Sequence, residues 1–176
     1  MSNYAVFLRG INVGGINVKM AELRTALATL PLSRVKTLLA SGNVVCSTDM
    51  AAGKLKTTVE KLLRDSFGYD AWVVVLDQEQ LQEIVDVCPY PADDNSHHSY
   101  VTLSSDPAVL DELAAHGSEL PDVELARLCP EALAWLAETG STLASPFSKL
   151  TAKPRYKSTT TTRNLRTLLK CRDAMV

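Results

Sequence analysis

Arginine, lysine, asparagine and glycine crowd one short stretch, Arg9-Gly10-Ile11-Asn12-Val13-Gly14-Gly15-Ile16-Asn17-Val18-Lys19-Met20. It follows an apolar run, Tyr4 to Leu8, and precedes a helical pattern. Three glycines, two asparagines and two cations therefore meet at a strand-to-helix junction. Such junctions present backbone N–H groups and polar side chains to anions. The Arg9 guanidinium suits a carboxylate or phosphate through two parallel hydrogen bonds. The helix start near Asn17–Lys19 adds unpaired N–H donors and a favourable end charge worth about 0.3–1 kcal/mol to an anion. The chemistry on offer is recognition of a small, anionic ligand. A purely structural role competes with it: glycines that permit positive φ, an arginine paired within the fold, and asparagines that shape turns.

Other chemistries fail on spacing. Gly10-x-x-x-Gly14-Gly15 is neither the dinucleotide fingerprint nor a P-loop. No G-x-S-x-G elbow occurs. His97 and His98 fall in a linker-like segment and His116 near a helix end. Adjacent side chains diverge on an extended segment, which disfavours a His97–His98 metal pair. The four cysteines are far apart and form no C-x-x-C pair, as expected of reduced thiols in a cytoplasmic protein. The hydroxyls of Thr159–Thr162 suit an edge strand and a helix N-cap better than a phosphate site. No reaction, cofactor, metal or oligomeric state is identified by these residues, and whether the protein is an enzyme stays open.

Hydrophobic residues make up 46% of the 176, enough for a packed core. No apolar run nears the ~20 residues that span a bilayer, and the N-terminus lacks the basic region of a secretory signal. No membrane is therefore expected. The net charge of −2 hides a segregation. Residues 1–76 sum to +4, residues 77–148 to −13 and residues 149–176 to +7. The basic end suits either an anionic partner such as nucleic acid or the acidic middle of its own chain. An acidic pI near 5.9 and few aromatics weigh against nucleic acid, and strand Tyr4–Leu8 lacks the aromatics on which an RNA-binding sheet stacks bases.

The elements that must hold these residues alternate. Tyr4–Arg9 reads as a strand, and Val18–Leu30 as a helix capped by Asn17 and ended by Pro31. Arg34–Leu39 and Asn43–Ser47 form a hairpin about Ala40-Ser41-Gly42. Ala51–Ser66 is a helix whose Lys54, Lys56, Glu60, Lys61 and Arg64 read as a solvated face. Trp72–Leu76 is a strand buried on both faces. Asp77–Cys88 is a helix opened by a capping box of Asp77 and Gln80. After the linker Pro89–His98 the order begins again. Tyr100–Ser104, Val123–Leu128 and Ala132–Glu138 are strands, and Pro107–His116 is a helix followed by Gly117. A turn near Ser148–Lys153, an edge strand near Tyr156–Thr160 and a basic helix Thr162–Arg172 complete the chain. The fold expected is α+β: two tandem ferredoxin-like (βαββαβ, alpha-beta plait) units, the second less regular. Their bounds are 1–88, including the following helix, and 97–176, including the basic terminal helix.

In a split βαβ unit the third strand inserts antiparallel between the first two. The end of the first strand then lies beside the hairpin of the next two. One rim should collect Arg9, Asn12, Lys19, Ser41 and Asn43.

The blocks Phe7–Gly15, Val18–Leu23 and Leu39–Val44 resemble the bacterial family called domain of unknown function 1697. Ser148-Lys149-Leu150 and Thr161-Thr162-Arg163-Asn164 resemble its later motifs. Leu165 stands where the family usually has Trp, and the stretch between Leu150 and Thr161 is shorter than usual. The resemblance implies two ferredoxin-like units and no established activity. It adds Lys149, Arg163 and Asn164 to the site residues, so that the expected ligand-binding set is Arg9, Asn12, Gly14, Gly15, Lys19, Ser41, Asn43, Lys149, Arg163 and Asn164. The leading expectation is an anionic, possibly phosphorylated, ligand in a cleft. The alternatives are weak nucleic-acid binding through the basic C-terminal segment, and polar blocks that only hold the two halves together.

Overall fold

The structure is a computed structural model that describes residues 1–12 and 15–175. Contacts divide it into two units, Met1–Gln82 with the chain end from Lys170, and Glu83–Leu169.

The first unit runs β1 (Ser2–Arg9), α1 (Met20–Leu27), β2 (Ser33–Leu38), β3 (Asn43–Thr48), α2 (Ala52–Phe67) and β4 (Trp72–Asp77). Its sheet has the order β2-β3-β1-β4 with antiparallel neighbours throughout. This is the split βαβ arrangement expected from the alternation of periods. Tyr4, Val6, Leu8, Val44 and Cys46 from the sheet pack with Leu23 and Leu27 of α1 and Leu55, Val59 and Leu63 of α2. Each fully buried leucine of this cluster contributes roughly 1.5–3 kcal/mol. Helix α1 starts at Met20, with Lys19 and not Asn17 at the N-cap position. Val18 belongs to the core instead of to the helix, and its apolarity made the helical phase look longer. Gly68, at φ 67°, ends α2 in the left-handed conformation, which glycine adopts without a Cβ penalty.

Strand β4 lies at the sheet edge, where its outward backbone groups need partners. Helix α2 supplies them. Glu60 Oε1 accepts from the Val73 N–H at 3.1 Å, and Lys56 Nζ donates to the Val73 carbonyl at 2.8 Å. Lys56 and Glu60 also pair with each other, and Arg64 Nη2 donates to the Ala71 carbonyl at 2.8 Å. The solvated face expected of these residues is therefore corrected at half-buried Lys56 and buried Glu60, while Arg64 stays exposed as it reaches Ala71.

Helix α3 (Gln78–Val87) follows directly. Its capping box is present: the Gln80 N–H donates to Asp77 Oδ1 at 2.8 Å and the Asp77 N–H to Gln80 Oε1 at 3.0 Å.

The second unit repeats the order with β5 (His97–Ser104), α4 (Pro107–Ser118), β6 (Leu125–Cys129), β7 (Ala132–Glu138), α5 (Pro146–Thr151) and β8 (Thr160–Asn164). Its sheet is β6-β7-β5-β8. Trp135 stacks on Tyr100 at 4.9 Å and meets the edge of Phe147 at 5.2 Å between ring centroids. Its indole N–H donates to Thr102 Oγ1 at 3.0 Å, and that hydroxyl meets the Thr162 hydroxyl at 2.9 Å. His97 and His98 open β5 instead of lying in the linker, because β7 runs far enough to pair with them. Gly117 lies inside α4, not after it. The last strand is Thr160–Asn164, later than expected, and α6 (Leu165–Ala174) starts after it. Asn164, not a threonine, caps α6 by accepting the Arg166 N–H at 2.9 Å. Among the described residues no helix is long and apolar enough to cross a membrane.

Candidate functional site

Strand pairing fixes what meets where β1 ends. Phe7 stands opposite Asn43 and Arg9 opposite Trp72. The Leu8 N–H donates to the Gly42 carbonyl at 2.9 Å. Arg9, the β2–β3 hairpin and the start of β4 thus share one sheet edge. Tyr4, Val6, Leu8 and Val44 face the helices, so alternation sets Arg9, Phe7, Asn43 and Trp72 on the opposite face. Arg9 is half-buried, and burial pulls its guanidinium pKa down from the ordinary value. A guanidinium stays charged under such pressure, so this edge carries a partly desolvated cation.

The connection from β1 to α1 is held by Asn12. Its backbone sits at φ 55°, a left-handed conformation that asparagine tolerates better than most residues. Its N–H donates to the Ile16 carbonyl at 2.6 Å. Its side-chain Oδ1 accepts the Val18 N–H at 3.1 Å, while Nδ2 donates to the Ala40 carbonyl at 2.5 Å. One side chain therefore ties the connection to itself and to the hairpin. Asn43 is fully buried, and its Nδ2 donates to the Leu38 carbonyl at 2.8 Å and to Ser41 Oγ at 3.0 Å. Gly42, at φ 81°, passes so close to Ile11 that a Cβ would collide with the Ile11 side chain.

The expected residues divide accordingly. Arg9, Asn12, Ser41 and Asn43 are gathered on one edge of the first unit. Asn12 and Asn43 are engaged in building that edge. Gly15, at φ 87°, is exposed in the same connection, and Gly14 lies outside the described residues. Lys19 is exposed at the α1 N-cap position, 3.9 Å from Glu22. Lys149, Arg163 and Asn164 belong to the second unit. Lys149 is exposed on α5. Arg163 is buried on β8 and donates to Thr161 Oγ1 at 2.6 Å and to the Thr162 carbonyl at 3.0 Å.

A comparison internal to the chain isolates what is particular to this edge. In the second unit the Ser104 N–H donates to the Glu131 carbonyl at 2.9 Å, the counterpart of Leu8 and Gly42. There β5 reaches α4 through Ser105 and Asp106 alone, whereas β1 reaches α1 through residues 10–19. Ala132 stands opposite Leu103 where Asn43 stands opposite Phe7. Arg127 occupies this second edge and is consumed by it. It donates to the carbonyls of Cys129 (2.8 Å), Pro130 (3.0 Å) and Pro107 (3.2 Å), and pairs with Asp111 at 2.7 Å.

The family described as "Protein of unknown function (DUF1697)" matches residues 1–128. The chain belongs to this family. DUF1697 sequence therefore covers the whole Arg9 edge and, of the second sheet, β5 and all but the last residue of β6. The conserved bacterial protein SP0830 from Streptococcus pneumoniae is similar in structure, at 24% identity over 99% of each chain and a TM-score of 0.82. That likeness supports the fold of this DUF1697 chain alone. The small subunit of acetolactate synthase from Thermotoga maritima aligns over 93% of this chain and 97% of its own, at 10% identity and a TM-score of 0.26. No curated protein matches.

Trp72 is the residue of this edge that sequence reasoning missed. Its signal was its place at the start of the fourth strand, which the split βαβ order pairs with the end of the first.

Proposed function

We propose that this DUF1697 protein binds a small anionic ligand, of phosphate or carboxylate type, at the edge of its first unit where β1 ends. In this reading Arg9 supplies the charge. Asn12 and Asn43 hold the two loops, and the exposed Gly15 lets backbone N–H groups approach the ligand. Helix α1 begins at the far end of the same connection with no side chain capping its first N–H groups, which favours negative charge there.

The observation that carries the reading is the length of the β1–α1 connection. The second unit makes the same topological link with two residues, where the first uses ten. The fold therefore does not require residues 10–19. Ile11 and Val18 return to the core and Asn12 ties the connection to the hairpin, while Gly15 and Asn17 are exposed. Binding residues concentrate on loops that a rigid scaffold positions and does not itself need.

Thermal melts of wild type and Arg9→Ala, each with and without phosphate or nucleotides, test it. Binding at this edge gives similar melts without ligand and a ligand-induced rise in wild type alone. A large loss for unliganded Arg9→Ala, with no anion raising either melt, assigns Arg9 to structure and ends the proposal.

A further inference from the structure

The margins of the two sheets are finished differently. In the first sheet β4 is clamped by α2, and the β2 register breaks after Ser33. Strand β6 is a margin of the second sheet, and its register with β7 holds from Leu125 to Arg127. The Leu136 N–H donates to the Glu124 carbonyl at 3.3 Å. Bonded and non-bonded pairs alternate along an antiparallel ladder, so Ala126 and Ala134 form the next bonded pair. Leu125 and Arg127 therefore aim their N–H and C=O groups outwards, away from β7. Among the described residues these groups have no hydrogen-bond partner. The Arg127 side chain does not cap them, because it is spent on the carbonyls of Cys129, Pro130 and Pro107 and on Asp111.

A hollow lies at each end of this open edge. One, of about 340 Å³, is walled by Val123, Leu136 and Pro146. The other, of about 480 Å³, is walled by Pro107, Leu128 and Pro130. Val123 and Leu125 pack on the helix side of the sheet, and Arg127 meets Asp111 of α4 on that same side. The side chains of an added strand alternate as those of β6 do. Those on the helix side would enter the hollows while the backbone meets Leu125 and Arg127.

Charge names the occupant. Asp122 and Glu138 line the first hollow, and Glu124 directly precedes β6. All three are exposed, and among the described residues none has an ion pair. The cation of the edge, Arg127, is neutralised by Asp111 at 2.7 Å. The edge is thus net negative, within a stretch, residues 83–148, of twelve acidic residues and one basic one. A second copy brings the same carboxylates and is repelled. A strand carrying lysine or arginine complements them.

We infer that the outer edge of β6 is a docking site for an extended, lysine- or arginine-bearing segment of another protein, added to the second sheet as a further strand. Main-chain hydrogen bonds to Leu125 and Arg127 hold the segment, and the hollows and carboxylates select its side chains. The site lies wholly in the second unit and does not rest on anion binding at the Arg9 edge.

A labelled peptide of alternating lysine and valine, offered to the full chain, tests this by fluorescence anisotropy and amide hydrogen exchange. Binding should slow exchange at the Leu125 and Arg127 amides and leave Val73, on the clamped β4 edge, unchanged. The same peptide N-methylated at two adjacent central residues keeps its charge but has both edges blocked, and should bind about tenfold weaker. A peptide with glutamate for each lysine should not bind. Asp122→Asn/Glu124→Gln/Glu138→Gln should weaken binding several-fold with little change in melting temperature. The inference is overturned by absence of binding, by unchanged exchange at Leu125 and Arg127, or by equal binding of the methylated or glutamate peptide. It is overturned as well by a triple variant that binds as tightly as wild type. Concentration-dependent dimerisation that protects these amides without peptide assigns the edge to a second copy and also overturns it.

Discussion

Arg9 on β1 stands directly opposite Trp72 on β4. Directly paired residues on one face of an antiparallel sheet hold their Cβ atoms about 4.5–5.5 Å apart, so the cation and the indole are immediate neighbours. The other tryptophan, Trp135, is buried in the second unit, which makes Trp72 the reporter of the Arg9 edge. Acrylamide should quench one accessible and one shielded emission. Arg9→Ala should raise quenching of the accessible fraction, and Trp72→Phe should leave the shielded fraction alone. Uniform quenching in wild type would contradict this placement.

Asn12→Ala removes the ties to Val18 and Ala40 and leaves a Cβ residue at φ 55°. A cost of about 1–2 kcal/mol is expected, read from denaturant midpoints, together with faster proteolysis between residues 10 and 19. If cleavage there does not change, Asn12 does not hold the connection.

Glu60→Ala deprives the Val73 N–H of its acceptor and leaves Lys56 without its partner. About 1–3 kcal/mol should be lost. Glu60→Gln keeps an acceptor oxygen and should cost less. Equal losses for the two variants would show that the hydrogen bond to β4 is not what Glu60 contributes.

Two glycine-to-alanine substitutions in helices should have opposite signs. A Cβ at Gly117 would lie 2.6 Å from Leu125 Cδ1 and 2.7 Å from Phe147 Cε2. Overpacking of that kind costs about 1–3 kcal/mol. Gly53, in the first turn of α2, has nothing within 4 Å, and alanine there should stabilise by about 0.4–1 kcal/mol through the unfolded chain. Calorimetric melts of the two variants would separate the effects.

Burial pushes the Cys46 thiol from 9.0 up to about 11. The folded state then keeps its proton between these values while the unfolded state loses it. Stability is thus fully present below about pH 9 and falls as pH rises towards 11. Cys46→Ala should flatten this alkaline decline in urea titrations across that range. A decline of unchanged steepness would assign it to other groups, among them Tyr69, which burial raises to about 12.

Much of the fold was legible because each element carries its own period. Ala132–Glu138 coincides with β7, and Asp77 and Gln80 form their box as spaced. Boundaries slipped where a residue serves another element. Val18 continues the apolar phase of α1 but packs as part of the preceding connection, and His97 and His98 join a strand only because β7 extends to meet them. The candidate edge was legible as topology, since the split βαβ order alone brings Arg9 to Asn43. What could not be read was the use of each polar group. Nothing local tells that Asn12 reaches Ala40 across 28 positions, or that Lys56 and Glu60 face a strand edge instead of water.

That last arrangement bears on assembly. An uncovered strand edge is a template for a neighbouring chain. A strand approaching β4 at Val73 finds both backbone groups taken by Lys56 and Glu60. At the opposite margin the β2–β3 register breaks between Ser33 and Lys36, with Arg34 at φ 52°, and the bend spoils a straight run of donors and acceptors. Both margins of the first sheet thus carry an obstacle to lengthening. Added pairing at Val73 first requires the α2 clamp to let go, so that on the β4 side detachment of a helix precedes any misassembly.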